Sequence, residues 1–312
     1  DSSTSRGLGD VYKRQNMDLV TRCKRAPKGG ETLFGEEFFQ VPGGKGANQA
    51  VAIGKLGTEV TMLGKVGKDS FGKDLISSMK ESGVDTRYIE EGEKSTGIAK
   101  IIVEENGQNR ILVVAGANSE VDKAYIDRHL DVIKECDIVV AQLEIPVETV
   151  AYALAKAKEF GKMTILNPAP ARELDDKIIK NSDLIIPNES ELALITGMPT
   201  ETEEEIKKAG EKLLDMGVSN LIVTLGSKGS LHLNREVCEF HSAYKVKAID
   251  TTAAGDSFIG GLVRELKDNN VGEAIEFATK VSAIAVTRKG AQTSIPTIEE
   301  VENFEGIKNE EK

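Results

Sequence analysis

Short apolar runs alternate with longer helical patterns in the second half of the chain. The runs lie at residues 137–141, 163–166, 183–186 and 221–224. A strand that is buried on both faces typically has a continuous apolar sequence. The segments between the runs, such as 147–160 and 201–216, are long enough for crossover helices. The pattern therefore predicts an α/β fold with a parallel-stranded central sheet flanked by helices.

Polar residues follow each of these runs. They are Gln142 and Glu144, then Asn167, then Asn188 and Glu191, and finally Gly226-Ser227-Lys228-Gly229. Loops are polar in general, so a single example would carry little weight. Four in succession predict a ligand site, because open α/β sheets bind ligands beyond the carboxyl ends of their strands.

A different pattern lies between residues 94 and 115. Two apolar stretches flank Asn106-Gly107, a dipeptide typical of a tight β-hairpin turn. Together with a strand-like stretch at 31–41, this hairpin predicts a small β-sheet lid over the ligand edge, with lid strands at about 31–41 and 95–115. A plain peripheral hairpin is the alternative, and periodicity does not separate the two.

One helix is predicted to begin beside a carboxylate. Phe258, Leu262 and Leu266 have the spacing of a buried helix face, which places Ala254-Gly255-Asp256 at the helix N-terminus. Free N–H groups there suit a phosphate, and a carboxylate beside phosphate suits a general base. The alternative is that Asp256 only caps the helix.

A glycine-rich run at 43–50, GGKGANQA, precedes another predicted helix. Adjacent glycines allow a ligand to approach the backbone closely. The run lacks the spacing of a Walker A loop. Its carboxamides, backbone groups and one lysine suit a polyhydroxylated ligand as well as an anion.

The composition of the chain argues against two classes of binding partner. The chain has 312 residues and a formal net charge of -11, which argues against nucleic acid or an anionic membrane as a partner. The three cysteines and three histidines show no disulfide or metal-ligand spacing. No apolar stretch is long enough to span a bilayer, so a cytoplasmic location is expected.

Three segments differ in character along the chain. Residues 1–15 have no apolar period and are interpreted as non-native or disordered, with no strand before Asn16. Residues 16–306 are expected to form a single α/β domain, and residues 307–312 a frayed C-terminal tail.

Nine motifs in order resemble the ribokinase family of carbohydrate kinases over residues 16–300. They are Asn16-Met17-Asp18, GGKGANQA at 43–50, AGAN at 115–118, QLE at 142–144, LNPAPA at 166–171, PNESE at 187–191, TLGSKG at 224–229, DTTAAGDSF at 250–258 and AVTRKGAQ at 285–292. The resemblance implies a ribokinase-like fold with a lid, homodimerisation through that lid, and ATP-dependent phosphorylation of D-ribose at the 5-hydroxyl.

The resemblance also implies roles for individual residues. Asp256 would be the base, with the N–H groups of Ala253, Ala254 and Gly255 as an anion hole. The sugar would be held by Asp18, Gly44, Lys45, Asn48 and Glu144. The nucleotide would contact Asn188, Thr224, Gly226, Ser227, Gly229, Gly255 and Thr279. Glu191 would organise Mg²⁺ through water, and K⁺ would be held by Asp250, Thr252, Ala285, Arg288, Gly290 and Ser294.

Other functions stay open at this stage. A deoxyribokinase or fructokinase of the same fold is the nearest alternative, and a non-catalytic sugar-binding protein is a more distant one. The family begins with an apolar strand before Asn-x-Asp, which residues 1–15 lack. A chain without that strand is expected to be less stable and to bind sugar more weakly.

Overall fold

The computed structural model describes the backbone of residues 9–12 and the complete residues 15–266 and 270–308. Its strands are β1 (Gly9–Tyr12), β2 (Asn16–Cys23), β3 (Glu37–Gly43), β4 (Val60–Val66), β5 (Ile89–Glu91), β6 (Gly97–Glu104), β7 (Asn109–Val114), β8 (Ile138–Ala141), β9 (Met163–Leu166), β10 (Leu184–Ile185), β11 (Asn220–Thr224), β12 (Gly229–Leu233) and β13 (Cys238–Ser242).

Helices connect most of these strands. They are α1 (Lys45–Lys55), α2 (Ser70–Glu81), α3 (Lys123–Arg128), α4 (Leu130–Glu135), α5 (Val147–Glu159), α6 (Asp176–Lys180), α7 (Glu189–Thr196), α8 (Glu203–Asp215), α9 (Ala254–Glu265), α10 (Val271–Ala285) and α11 (Ile298–Glu302). Among the described residues, none of the helices is both long and apolar enough to cross a membrane.

The large sheet has the strand order β13-β12-β11-β10-β9-β8-β1-β4-β5. Its strands from β11 to β5 pair in parallel, while β12 and β13 add an antiparallel edge. Alternate strand residues serve two apolar layers: Val139 and Leu221 pack with α5 and α8, whereas Val140 and Ile222 pack with α1 and α9. The predicted α/β fold is confirmed.

The expectation that no strand precedes Asn16 is wrong. Strand β1 lies between β4 and β8, with Asp10 opposite Thr61 on one side and opposite Val139 on the other. Ladder pairing uses backbone N–H and C=O groups, which any residue except proline supplies, so a segment without an apolar period can fill this position. Residues 1–8 and 13–14 lie outside the described part of the chain. The foreign origin of the segment stays a prediction.

A second sheet of order β3-β2-β6-β7 provides the predicted lid. The hairpin β6–β7 turns at Gly107, whose φ is 83°, as the Asn-Gly signal indicates. The strand expected at 31–41 is β3 and spans 37–43, because its pairing with β2 begins at Glu37. Strand β2 itself was not anticipated.

The tail expected to fray from residue 307 is partly held. The Lys245 N–H donates to the Ile307 carbonyl at 2.8 Å, and Lys308 forms a bridge with Tyr244. Backbone pairing therefore orders the tail through Lys308. Residues 309–312 lie outside the described residues.

Candidate active site

Helix α9 begins in an unusual turn. Its N-cap Ala253 has φ 59°, in the left-handed region, and a Cβ built on Gly255 would meet no atom within 4 Å. The N–H of Ala254 donates to the Thr251 carbonyl at 3.2 Å. The first turn of the helix thus faces open space at Gly255, as an anion-binding N-terminus requires, whereas the Ala254 N–H is paired with Thr251.

Asp256 is buried in this first turn and is held by helix α1. Its Oδ2 accepts from Asn48 Nδ2 at 3.0 Å, and its Oδ1 accepts from Gln49 Nε2 at 2.8 Å. Both donors come from one turn of α1, so the position of the carboxylate depends on how α1 and α9 pack.

Gln49 makes two further carboxamide contacts, and its partner Asn167 makes a third. The Gln49 Nε2 also donates to Asn167 Oδ1 at 3.2 Å, and its Oε1 accepts from Gln142 Nε2 at 2.9 Å. The Asn167 Nδ2 donates to the Ile186 carbonyl at 3.0 Å. Polar residues at the carboxyl ends of β8 and β9 are therefore connected to Asp256 by hydrogen bonds. This agrees with a ligand site beyond the carboxyl ends of the parallel strands.

Two carboxylates flank the glycine run. A Cβ on Gly43 would lie 2.3 Å from Asp18 Oδ2, so only glycine leaves room for that carboxylate. Gly44 caps α1 with φ 91°, and the Lys45 N–H donates to Glu144 Oε2 at 3.0 Å. Asp18, Glu144 and Lys45 therefore lie around one loop, and Asn48 follows one turn along α1.

A cavity of about 690 Å³ opens over the first turn of α9. Its wall includes Lys45, Asn188, Glu191, Thr224, Gly226, Ser227, Gly229, Ala253, Ala254, Gly255, Asp256 and Thr279. A volume of this size accommodates a nucleotide-sized ligand. Asp18, Gly44, Asn48 and Glu144 lie outside its wall but contact Lys45, Asp256 or Gly43 at its side.

Asn188 and Glu191 cap helix α7 reciprocally. The Glu191 N–H donates to Asn188 Oδ1 at 2.8 Å, and the Asn188 N–H donates to Glu191 Oε2 at 2.9 Å. Burial raises the pKa of Glu191, and the nearby Asp256 raises it further, against the lowering effect of the Asn188 N–H and Lys45. A buried carboxylate of this kind favours a cation beside it.

A glycine turn follows β11. Thr224 pairs with Asn188 as a parallel bridge, and Gly226 and Gly229 have φ of 57° and 115°. A Cβ on Gly229 would lie 1.9 Å from the His241 carbonyl, which only glycine avoids. On the other side of the cavity, the hydroxyl of Thr279 donates to the Ile275 carbonyl at 2.7 Å.

The segments proposed for K⁺ lie against each other. Asp250 Oδ1 accepts from the N–H and hydroxyl of Thr252, and its Oδ2 accepts from the Gly290 N–H at 3.0 Å. Burial opposes ionisation of Asp250, but these donors together lower its pKa. Ala285 and Ser294, which lie on either side of Gly290 in the sequence, are both buried. The Arg288 side chain forms an ion pair with Glu300, with 2.7 Å between Arg288 Nη2 and Glu300 Oε1.

Sequence reasoning assigned no role to several wall residues. They are Tyr244, Lys245, Val246, Ala248, Phe258, Ser282, Ala283 and Val286. Residues 244–248 follow β13 without any periodicity, so no signal marks them. Thr279, Ala283 and Val286 have helical spacing, which indicates one face of α10 but not what covers it.

Comparisons with known proteins agree on one family. The model of the pfkB family of carbohydrate kinases matches residues 10–298. A ribokinase of Schizosaccharomyces pombe is 44% identical over 310 residues, covering 96% of this chain and 98% of its own. A deoxyribokinase of Salmonella typhi is 42% identical over 291 residues, covering 92% and 95%. The structure of Arabidopsis thaliana ribokinase complexed with ribose and ATP has a TM-score of 0.91 and 31% identity, covering 95% and 97%.

Proposed function

This chain belongs to the pfkB family of carbohydrate kinases, and from that premise we propose that it phosphorylates D-ribose at the 5-hydroxyl, using ATP and giving D-ribose 5-phosphate and ADP. One observation supports this most directly. The carboxylate of Asp256 lies in the first turn of α9 on the wall of the large cavity, and Asn48 joins it to the first turn of α1, which begins at Lys45.

The reaction follows from the position of that carboxylate. Asp256 takes the proton of the sugar 5-hydroxyl, and the hydroxyl oxygen forms a bond to the γ-phosphorus of ATP. The bond from that phosphorus to the β,γ-bridging oxygen breaks, and its electron pair leaves with ADP. Charge develops on the equatorial oxygens, where the N–H groups of Ala253 and Gly255 would stabilise it. The Ala254 N–H would join them by exchanging the Thr251 carbonyl for a phosphoryl oxygen.

The sugar is proposed to lie beside the glycine run. Asp18 and Glu144 supply acceptors for hydroxyl protons, and Gly44, Lys45 and Asn48 supply the remaining contacts. A site built to bind hydroxyls rejects an analogue that lacks one, because a buried polar group is then left unpaired. This favours ribose over deoxyribose, the sugar named for one relative.

The nucleotide is proposed to fill the rest of the cavity, against Asn188, Thr224, Gly226, Ser227, Gly229 and Thr279. The described residues hold no group of three or more His, Cys, Asp or Glu side chains that could bind a metal ion. Mg²⁺ usually keeps waters and binds one or two carboxylates with substrate phosphates, and the buried Glu191 fits that role through water. The ion would neutralise charge on the phosphates.

A monovalent cation, K⁺, is proposed for the neighbouring segments. The proposed ligands are mostly main-chain carbonyls, together with the Asp250 carboxylate, and such a set suits a hard monovalent ion. Asp250, Thr252, Ala285, Arg288, Gly290 and Ser294 would hold it. The Asp250–Gly290 hydrogen bond ties this set to the loop before the anion hole, so the ion would stabilise that loop.

Three broader proposals complete the assignment. A homodimer through the lid is supported by the exposed apolar side chains of β7, and a cytoplasmic location by three cysteines that are all free thiols. Residues 16–306 are proposed to act as one unit, since strand β2 of the lid supplies Asp18 and helix α9, which packs on the large sheet, supplies Asp256.

The activity is tested by ADP release with ribose, deoxyribose and fructose, in Mg²⁺ with and without K⁺. Ribose should give the highest kcat/KM, and K⁺ should raise the rate. Asp256→Asn should lower kcat by about 100- to 10,000-fold, the usual contribution of a general base. ATP affinity should be nearly unchanged in that variant. Faster turnover of deoxyribose or fructose, or full activity of Asp256→Asn, would refute the proposal.

A further inference from the structure

Gln49 contacts the proposed base without reaching the cavity. Its side chain is fully buried, and its Nε2 donates both to Asp256 Oδ1 at 2.8 Å and to Asn167 Oδ1 at 3.2 Å. Any effect of this residue on the reaction must therefore pass through Asp256 or another residue rather than through substrate.

The orientation of the Gln49 amide is fixed from outside the site. The Ile186 carbonyl can only accept, so Asn167 must turn its Nδ2 toward it and its Oδ1 toward Gln49. Gln49 must then present its Nε2 to Asn167 and Asp256, which leaves its Oε1 for Gln142. A main-chain carbonyl thus ensures that Asp256 meets an N–H donor.

The two oxygens of Asp256 consequently differ. Oδ1 is held by the buried Gln49, whereas Oδ2 accepts from Asn48. Asn48 keeps 6% of its surface exposed whereas Gln49 keeps none, so the carboxylate is less enclosed on the Asn48 side. The oxygen on the side of Asn48 is therefore the one that a sugar hydroxyl can reach.

We propose that Gln49 is a positioning residue that fixes Asp256 Oδ1 and so presents Oδ2 to the sugar hydroxyl, its own orientation being set by Asn167 and the Ile186 carbonyl. The inference rests on the proposed function, because it assumes that Asp256 accepts the hydroxyl proton. It assigns Gln49 a role in the geometry of proton transfer and none in contacting sugar or nucleotide.

The first experiment compares Gln49→Met with the wild type. Met has a similar length but cannot donate, so Asp256 gains rotational freedom. We expect kcat to fall about 10- to 100-fold, the scale of a 1 Å misplacement. The KM values for ribose and ATP should change by less than about threefold, since ground-state contacts remain. An unchanged kcat in a folded Gln49→Met variant would overturn the proposal.

The second experiment is a double-mutant cycle with Asp256→Asn. If Gln49 acts through the base, Gln49→Met should change the residual kcat of the Asp256→Asn variant by less than about threefold, because coupled residues are non-additive. An equal fold-loss in both backgrounds would show a general structural role and refute the inference.

Gln49→Glu covers the case in which Gln49→Met folds poorly. Glu keeps the side-chain volume and an acceptor for Gln142 but replaces the donor that faces Asp256 Oδ1. Its kcat should fall at least as far as that of Gln49→Met. Wild-type kcat in Gln49→Glu would contradict the proposal.

Thr164→Val is the matched control. It lies three residues before Asn167, and the substitution removes a partly buried hydrogen bond from the Thr164 hydroxyl to the Asp183 carboxylate. It should lower the melting temperature while leaving kcat unchanged. A wild type without ribose-dependent ADP release would refute the proposed function, whereas an additive cycle in an active enzyme would refute only the role of Gln49.

Discussion

Ala253 has a backbone conformation that residues with a side chain rarely adopt. Among the described residues it alone combines a Cβ with a positive φ. The left-handed region costs an L-residue roughly 1–2 kcal/mol, and such strain tends to occur at functional sites. Here the conformation turns the chain directly into α9, whose first turn faces the cavity.

This strain predicts opposite effects of two neighbouring substitutions. Ala253→Gly should raise the free energy of unfolding by about 0.5–1 kcal/mol, because relief of strain exceeds the entropy that glycine adds to the unfolded chain. Ala254→Gly, in helical conformation, should lower it by up to about 1 kcal/mol. Urea denaturation measures both, and a loss of stability in Ala253→Gly would contradict the strain.

Glu191 makes stability depend on pH. Burial raises its pKa above the value in the unfolded chain, so the folded protein binds this proton more tightly. Its contribution to stability is therefore largest below the ordinary pKa and declines as pH rises through the raised one. Glu191→Gln keeps an acceptor for the Asn188 N–H but cannot ionise.

Without nucleotide or Mg²⁺, Glu191→Gln should melt higher than the wild type at about pH 8 and show little difference at about pH 4.5. Melting curves of both proteins at the two pH values provide the measurement. A difference that does not change with pH would show that the ionisation of Glu191 has no part in it.

The sequence predicts individual site residues unevenly. Asp256 could be identified because an apolar period places it in the first turn of a helix. Gln49 could not, although it adjoins Asn48, because its role depends on contacts with residues more than ninety positions away. Sequence spacing describes one helix, whereas this contact is made between two.

The crossing of α1 and α9 determines the distance between Asp256 and its donors. A Cβ on Gly260 would lie 2.3 Å from Ala52 Cβ, so the helices approach closely at this point. Gly260 is one turn after Asp256, and Ala52 is one turn after Asn48. The close approach therefore lies directly beside the hydrogen bonds to the carboxylate.

Gly260→Ala should separate the two helices. We expect it to lower the free energy of unfolding by about 1–3 kcal/mol through overpacking, and to lower kcat as the donors leave Asp256. Gly255→Ala is the comparison, because its methyl would enter open space in the cavity. It should gain about 0.4–1 kcal/mol of stability yet lose ATP-dependent activity.

Denaturation and ADP release together separate these outcomes. A stable, fully active Gly260→Ala protein would show that the helices can shift without moving Asp256.

At the level of secondary-structure elements, the apolar pattern predicts the strands that are buried on both faces. The runs at 137–141 and 163–166 become β8 and β9 almost to the residue. Strands β1 and β2 were missed because their positions are set by pairing with distant strands rather than by their own pattern. The antiparallel edge formed by β12 and β13 was missed for the same reason.

The whole molecule leaves the β7 edge of the lid uncovered. Every residue of β7 is exposed, and Ile111 and Leu112 have 60% and 67% of their surface accessible. Apolar side chains grouped on a sheet in this way indicate an interaction surface. A second copy of the chain is the proposed partner.

Leu112→Asp should therefore convert the dimer to a monomer, because it places a charge in the apolar contact. Light scattering after size exclusion measures the molecular mass. Leu194→Asp, at an exposed leucine on α7, is the control and should leave the mass unchanged. A wild-type chain with the mass of a monomer would refute dimerisation through the lid.

The Ile186 carbonyl orients the side-chain amides of Asn167 and Gln49, and this arrangement has an evolutionary consequence. A replacement at position 186 changes the side chain but retains the backbone oxygen, provided that the strand end keeps its shape. The direction in which these amides point is thus unaffected by a substitution at position 186. Selection then has to preserve Asn167 and Gln49, but not the side chain at position 186, for these amides to keep their orientation.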